Sequence, residues 1–442
     1  MSVPLTALSL LRARRRRLAD SLGSGIAILP AAPERVRNAD THYPYRWDSH
    51  FHYLTEFPEP EAVLVLQGGK KPRSLLFCRP LDPERERWEG RRHGPEQACA
   101  QFGMDAAHAL SELDERLPTL LAGCETVYSM MGQDEAWDQR IQGWLQILRS
   151  QVRSGVRAPL QWGDLSDRLG EMRLVKEARE LQFMRRAAEI SARAHLRAMQ
   201  AARPGRYEYT VEAELLHEFR AHGATGPAYP PIVAGGENAC ILHYVDNSAR
   251  LRDGDLLLID AACEWQGYAA DITRTFPVNG RFSTAQRDLY DVVLAAQQAA
   301  LGQVKAGKRV SAYHEAAVKV LAQGLIDLGL CQGSLDSVLE NGEYRRFYMH
   351  RTGHWLGRDV HDVGRYVDEE GKPRRLAPGM VLTVEPGVYV GGEDDIPVAF
   401  RHTGIRIEDD VVVGEKGHEV ITDAVPRTVE EIETWMAQTR RR

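Results

Sequence analysis

The sequence predicts two units in succession, an α/β unit over residues 1–173 and an α+β unit over residues 174–442. Three observations carry this reading. The chain has 442 residues, room for two or three domains at roughly 150 residues each. Its first part alternates short apolar runs with amphipathic stretches. Its second part opens on one long amphipathic stretch and then turns strand-rich, and all five members of a candidate metal-ligand set fall there.

Near the N-terminus, Arg12 to Arg17 place five arginines in six residues. The next residues, Leu18 to Ser24, are too polar for the apolar core of a signal peptide, so the run reads as the solvated face of an N-terminal helix. AVLVLQ (62–67) and SLLFC (74–78) flank GGKKP and read as strand, turn, strand. The spacing of apolar residues predicts a helix over 104–123, ended by Gly123, then a strand at 125–130 and a second amphipathic helix over 135–152. No convergent ligand set appears in this half.

Leu174, Ala178, Leu181, Ala188 and Ala192 recur at helical spacing, so a long helix is expected from about 176 to the Pro204-Gly205 stop. A further helix over 210–223 ends at Gly223. LLLID (256–260) is an apolar strand ending on Asp260, and YAADITRTF (268–276) is a strand carrying Asp271. With CEWQG as a turn, an antiparallel hairpin would put both aspartates on neighbouring strands. Two helices come next, 283–303 and 311–329. The last clear strands are 380–390 and 404–414, with Glu385 and Glu408 inside them.

Asp260, Asp271, His354, Glu385 and Glu408 are therefore the candidate ligands. Four carboxylates brought to one buried place would repel and resist ionisation, and cations remove that penalty. One imidazole with four carboxylates is harder and richer in oxygen than a structural zinc site. It suits two divalent ions sharing carboxylates and a water nucleophile, which points to metal-assisted hydrolysis.

Composition excludes little but is consistent. Hydrophobic residues make up 43% and charged residues 27%, and the net charge of -6 gives no general drive toward nucleic acid or an anionic membrane. No window approaches the roughly 18 apolar residues of a membrane span. The six cysteines are scattered without a CxxC pair, which argues against a zinc ribbon or a disulfide framework and makes the cytoplasm the simplest compartment. Cys263 reads as a buried filler; His314 and His402 read as structural.

The segments GGENACILHY, DGDLLLIDAACEWQGYAADITRTF, MHRTGHWLGRDVHDVG, LAPGMVLTVEPGVYV and GIRIEDDVVV stand in the order found in the pita-bread metallopeptidases, and the second half resembles that family. The stretch YPYRWDSHFHYLTEFPEPEAVLVL resembles the N-terminal domain shared by aminopeptidase P, prolidase and creatinase. The resemblance covers nearly the whole chain and is nearest to the bacterial aminopeptidase P branch. It implies release of an N-terminal residue from peptides with proline second, a homo-oligomer with a tetramer ahead of a dimer, and manganese as the metal, with cobalt, iron or zinc also compatible with the ligands.

By that resemblance Asp271 and Glu408 bridge two ions, Asp260 binds beside them, and His354 and Glu385 complete one shell. His361 is the candidate imidazole for the developing oxyanion, and Glu385 the candidate proton shuttle. His243 and His350 match positions on the proline side of the cleft; Tyr366 and Arg406 match positions around it. Tyr389 is expected to bond near the metals, and Trp88 matches a residue that reaches a neighbouring subunit's site. Arg351-Thr352 stands where relatives often carry a small or apolar pair, which points to a preference for longer or acidic peptides. The acidic loop 390–404 is expected at the entrance. Prolidase shares the ligand set and remains an alternative. A non-enzymatic peptide-binding module and a creatine-type amidinohydrolase are disfavoured by the intact ligands.

Overall fold

The computed structural model describes residues 5–440. The chain divides into two units, one ending at Gly170 and the other beginning at Glu171.

The first unit is built on a six-stranded mixed sheet. Its order is Ala106–Ala109, Arg73–Cys78, Val63–Gln67, Ile26–Pro30, Thr126–Ser129, Gln161–Asp164. Alternate residues Ile26 and Ile28, Val63 and Val65, and Leu75 and Phe77 face one side. Helices Leu113–Leu121 and Glu135–Ser150 cover that side with Leu113, Leu117, Leu121, Ile141, Trp144 and Leu148.

Two expectations fail in this unit. The arginine run is not simply a solvated face. Helix Leu5–Ser21 buries Arg14 and Arg15, which are 2% and 3% exposed. Arg14 donates to Tyr53 O, and Arg15 donates to Leu54 O, Phe102 O and Gly103 O. The two guanidiniums thus satisfy carbonyls at the C-terminal ends of helices Ser49–Thr55 and Gly94–Phe102. Nor does one helix run over 104–123. Asp105 is held against the sheet by Ser74, whose N–H and Oγ donate to its carboxylate at 2.7 and 2.9 Å. The chain then runs extended, with Ala106 to Ala109 parallel to Leu75 to Cys78, and the helix begins only at Leu113. Sheet pairing overrides the helical preference of the alanines.

The second unit wraps helices Ala178–Ala201, Glu208–Ala221, Thr284–Leu301 and Ala312–Asp327 around short antiparallel strands. Leu256–Asp260 lies between Ile232–Gly235 and Thr273–Pro277. Val381–Val384 pairs with Asp409–Val413, and Gly387–Val390 with Thr403–Arg406. The three long strands expected from sequence are each broken. Residues 268–276 split into Tyr268–Ala269 and Thr273–Pro277. Tyr268–Ala269 turns back on Cys263–Trp265 through Gln266 and Gly267, both in the left-handed region at φ 53° and 72°, as a tight hairpin requires. Residues 380–390 break at Glu385-Pro386, where proline removes a ladder donor. Residues 404–414 break at Ile407-Glu408.

Candidate metal centre

Each carboxylate of the ligand set stands at a strand end or at one of these breaks. Asp260 closes its strand opposite Thr273. Asp271 occupies the gap before Thr273–Pro277, its N–H held by the carboxylate of Asp410 at 3.0 Å. Glu385 and Glu408 lie in the breaks just described, not inside strands. A residue in a break is released from strict up-and-down alternation, so its carboxylate can turn inward while the flanking side chains stay in the core.

His354 reaches the same place from a loop. Its N–H donates to Thr383 Oγ1 and its carbonyl accepts from Thr383 N–H, docking it on strand Val381–Val384. Gly353 permits this approach, since a Cβ there would sit 1.9 Å from Thr383 O. His354 Nδ1 lies 3.0 Å from Trp355 O, which makes Nδ1 the proton carrier and turns Nε2 toward the carboxylates. Nε2 is 3.4 Å from Asp271 Oδ2 and 3.6 Å from Glu385 Oε1. Ligand atoms of Asp271, His354 and Glu408 all lie within 4.8 Å of one another.

The electrostatics fit a cation. Burial and the charge of Asp260 raise Asp271 above the usual carboxylate range. Burial lifts Glu385 to about 7 and, with Asp271 and Glu385 as neighbours, raises Glu408 far above its ordinary value. The hydrogen bond to Asp271 and the charges of Glu385 and Asp271 outweigh burial and raise His354 to about 9. Protons here offset a charge that divalent ions would neutralise better, and the oxygen-rich donor set matches hard cations.

Several residues hold the ligands in place. Tyr229 Oη lies 2.7 Å from Asp260 Oδ1 and 2.5 Å from Asp271 Oδ1, sharing its one hydrogen between them. Thr273 Oγ1 donates to Glu408 Oε2 at 2.7 Å. Arg406 donates to Asp260 Oδ2 at 2.7 Å and to Tyr389 Oη at 2.8 Å. Tyr389 Oη lies 2.9 Å from His350 Nε2, and His350 Nδ1 lies 2.7 Å from Arg351 O. Both His350 nitrogens are thereby used in the neutral form, and burial lowers its pKa to about 4. Behind the strands Arg274 spends all five donors, on Thr273 O, Glu408 O, Asp409 Oδ1, Val425 O and Pro426 O.

A cavity of about 900 Å³ opens over the ligands. His243, His350, His361, Tyr366 and Arg406 all line it. His361 is exposed on one side and meets the His354 ring edge-on at 4.4 Å; partial burial and the nearby His354 charge lower its pKa. Tyr366 stacks on the Trp355 ring, and its hydroxyl accepts the Trp355 backbone N–H at 2.8 Å. Tyr389 stands behind the wall as a partner of His350 and Arg406. Trp88 is 87% exposed on helix Glu86–Glu89 of the first unit.

His314, read as structural, also lines the cavity, with Nδ1 2.8 Å from Thr352 Oγ1. Arg351 is on the same rim. The 390–404 loop adds no residue to this cavity; Ala399 and Arg401 to Thr403 line a second one of about 930 Å³. Sequence reasoning missed Tyr229, Thr273 and Arg274. Thr273 was within reach, because alternation through DITRTF puts it on the face of Asp271. Nothing in the pattern around Tyr229 marks it.

The model of metallopeptidase family M24 matches residues 182–415, and that of the aminopeptidase P N-terminal domain matches residues 11–128. The chain is 45% identical to an Xaa-Pro aminopeptidase of Escherichia coli over 97% of both chains. Its fold matches a solved aminopeptidase PepP of Pseudomonas aeruginosa with a TM-score of 0.97 and 48% identity over all of both chains. It also matches a zinc-substituted aminopeptidase P of Escherichia coli in complex with product, with a TM-score of 0.96, 44% identity and full coverage of both chains.

Proposed function

The chain belongs to metallopeptidase family M24, and from that premise we propose that it is a metal-dependent Xaa-Pro aminopeptidase, releasing the first residue from peptides with proline second. The observation that carries the reading is the convergence of Asp271, His354 and Glu408 within 4.8 Å at the floor of the cavity.

Asp260, Asp271, His354, Glu385 and Glu408 would hold two divalent ions, for which we favour manganese. When bound, such ions supply Lewis acidity and make water acidic enough to attack near neutral pH. The protein's own groups do the rest. Glu385 lines the cavity, and its carboxylate can accept and return a proton. His361 offers an imidazole where charge would develop on the carbonyl oxygen before proline. His243, His350 and Tyr366 give the proline ring, which has no N–H to satisfy, a wall of aromatic edges. Arg406 lines the cavity, and its guanidinium is committed to Asp260, so it acts on substrate by fixing that carboxylate. Trp88 would serve a neighbouring copy in a homotetramer.

We place the boundary between the two domains at residues 173/174 and the enzyme in the cytoplasm. No helix among the described residues is long and apolar enough to cross a membrane.

The test compares a Xaa-Pro dipeptide with a Xaa-Pro-Yaa-Zaa peptide, each with manganese and with a chelator. Chelator-sensitive release of the first residue from the longer peptide is the expected result. Cleavage of the dipeptide alone would make the protein a prolidase. No cleavage of either would favour a peptide-binding module.

A further inference from the structure

The loop that brings His361 to the cavity is anchored from behind by buried charge. Asp362, the next residue, is outside the cavity wall and its side chain is 1% exposed. Arg173 Nη2 meets its Oδ1 at 2.5 Å, and Lys176 Nζ meets its Oδ2 at 2.9 Å. Those two side chains are 2% and 1% exposed. Arg173 also bonds Asp359 Oδ2 at 2.7 Å, so both ends of the stretch carrying His361 are gripped by one guanidinium.

The grip extends to the metal ligand. Asp362 N–H donates to Trp355 O, in the residue after His354, at 2.9 Å. Lys176 N–H donates to Gly379 O at 2.8 Å, fixing the lysine's own backbone. Gly357 completes the packing, because a Cβ there would lie 2.1 Å from Asp362 Oδ2 and 2.9 Å from Lys176 Cε.

Stability is a poor reason for such an arrangement. Taking several ions out of water costs more than their attraction reliably returns, and apolar packing would hold the segment as well. What charged, directional contacts add is a fixed geometry, and a misplacement of about 1 Å at a reacting group is enough to cost a large factor in rate.

We infer that Arg173 and Lys176, acting through Asp362, are positioning residues that fix His361 against the carbonyl under attack. The inference rests on the proposed peptidase reading. The two cations do not touch substrate; they set where His361 stands relative to His354.

The experiment uses the full-length manganese-loaded enzyme and a Xaa-Pro-Yaa-Zaa peptide. Lys176→Met and Asp362→Asn are each made alone and in a His361→Ala background, with Lys176→Arg as the conservative variant. The second substitution is nearly isosteric and covers the case in which Lys176→Met does not fold. Circular dichroism and metal content are measured on every variant. The expected result is a fall in kcat of about tenfold or more with KM changed less than about threefold. Lys176→Arg should recover most of the loss. In the His361→Ala background the same substitutions should change kcat less than about twofold, because the group they position is gone. Equal losses in both backgrounds, or no loss in either, would overturn the inference. Failure of the wild type to cleave any Xaa-Pro peptide would overturn the functional reading and this inference with it, a result readily told from the other two.

Discussion

Tyr229 gives one hydroxyl to two carboxylates that a cation would share. Groups that orient ligands in this way commonly govern affinity by about 10–100-fold. Tyr229→Phe should therefore weaken metal binding by about that factor in a competition titration with a chromophoric chelator, with circular dichroism unchanged; an unaltered affinity would make the phenol a spectator. His195 is a different case. It is wholly buried, Nε2 meets Ala261 O at 2.8 Å, Nδ1 has no partner, and burial lowers its pKa to about 4. Its folded pKa lies below the unfolded value of about 6.5, so its neutral form contributes fully above that pH. That contribution is lost as pH falls toward 4. The urea midpoint of metal-free His195→Gln should drop less than that of the wild type between pH 7 and pH 5. Arg351 lines the cavity and, among the described residues, has no carboxylate within ion-pair distance. A free guanidinium there favours a carboxylate beyond proline, so Arg351→Gly should lower kcat/KM several-fold for acidic peptides and little for neutral ones. Matching profiles for the two enzymes would remove that role.

At the scale of elements, apolar runs and glycine punctuation mark the long helices of the second unit well but hide where strands stop and where a strand precedes a helix, as at 104–123. Residues 380–390 and 404–414 look continuous because β-branched residues flank both breaks, and interruptions depend on what packs across them. Pro386 was a visible signal for the first break; the second depends on Arg274 beneath it. That guanidinium binds the carbonyl of Glu408 and the carboxylate of Asp409, contacts made across more than a hundred residues of chain. Arg274→Ala would leave the buried Asp409 carboxylate to Arg427, Gln297 and Thr422, strip the partner from several buried carbonyls and open a cavity, and should cost about 2–5 kcal/mol in urea unfolding. A loss under about 1 kcal/mol would show the strand break to be self-supporting. The arginine run hides its role for a similar reason: charge patterning along one helix cannot reveal that two other helices end against Arg14 and Arg15.

For the whole molecule, a site that resists its own ionisation links metal to stability. Divalent ions bind the folded chain, so the melting temperature should climb with manganese concentration in the wild type and stay flat in Asp271→Asn. A parallel rise in both would place the stabilising ion elsewhere. The proposed ligands are also distant in sequence, running from Asp260 to Glu408. A chain leaving the ribosome cannot assemble the set until the last strands have emerged and folded onto the first. Capture of metal is thus a late event in the life of each molecule, and a chain that stalls or is truncated before residue 408 stays without the full set of ligands however much of its hydrophobic core has formed.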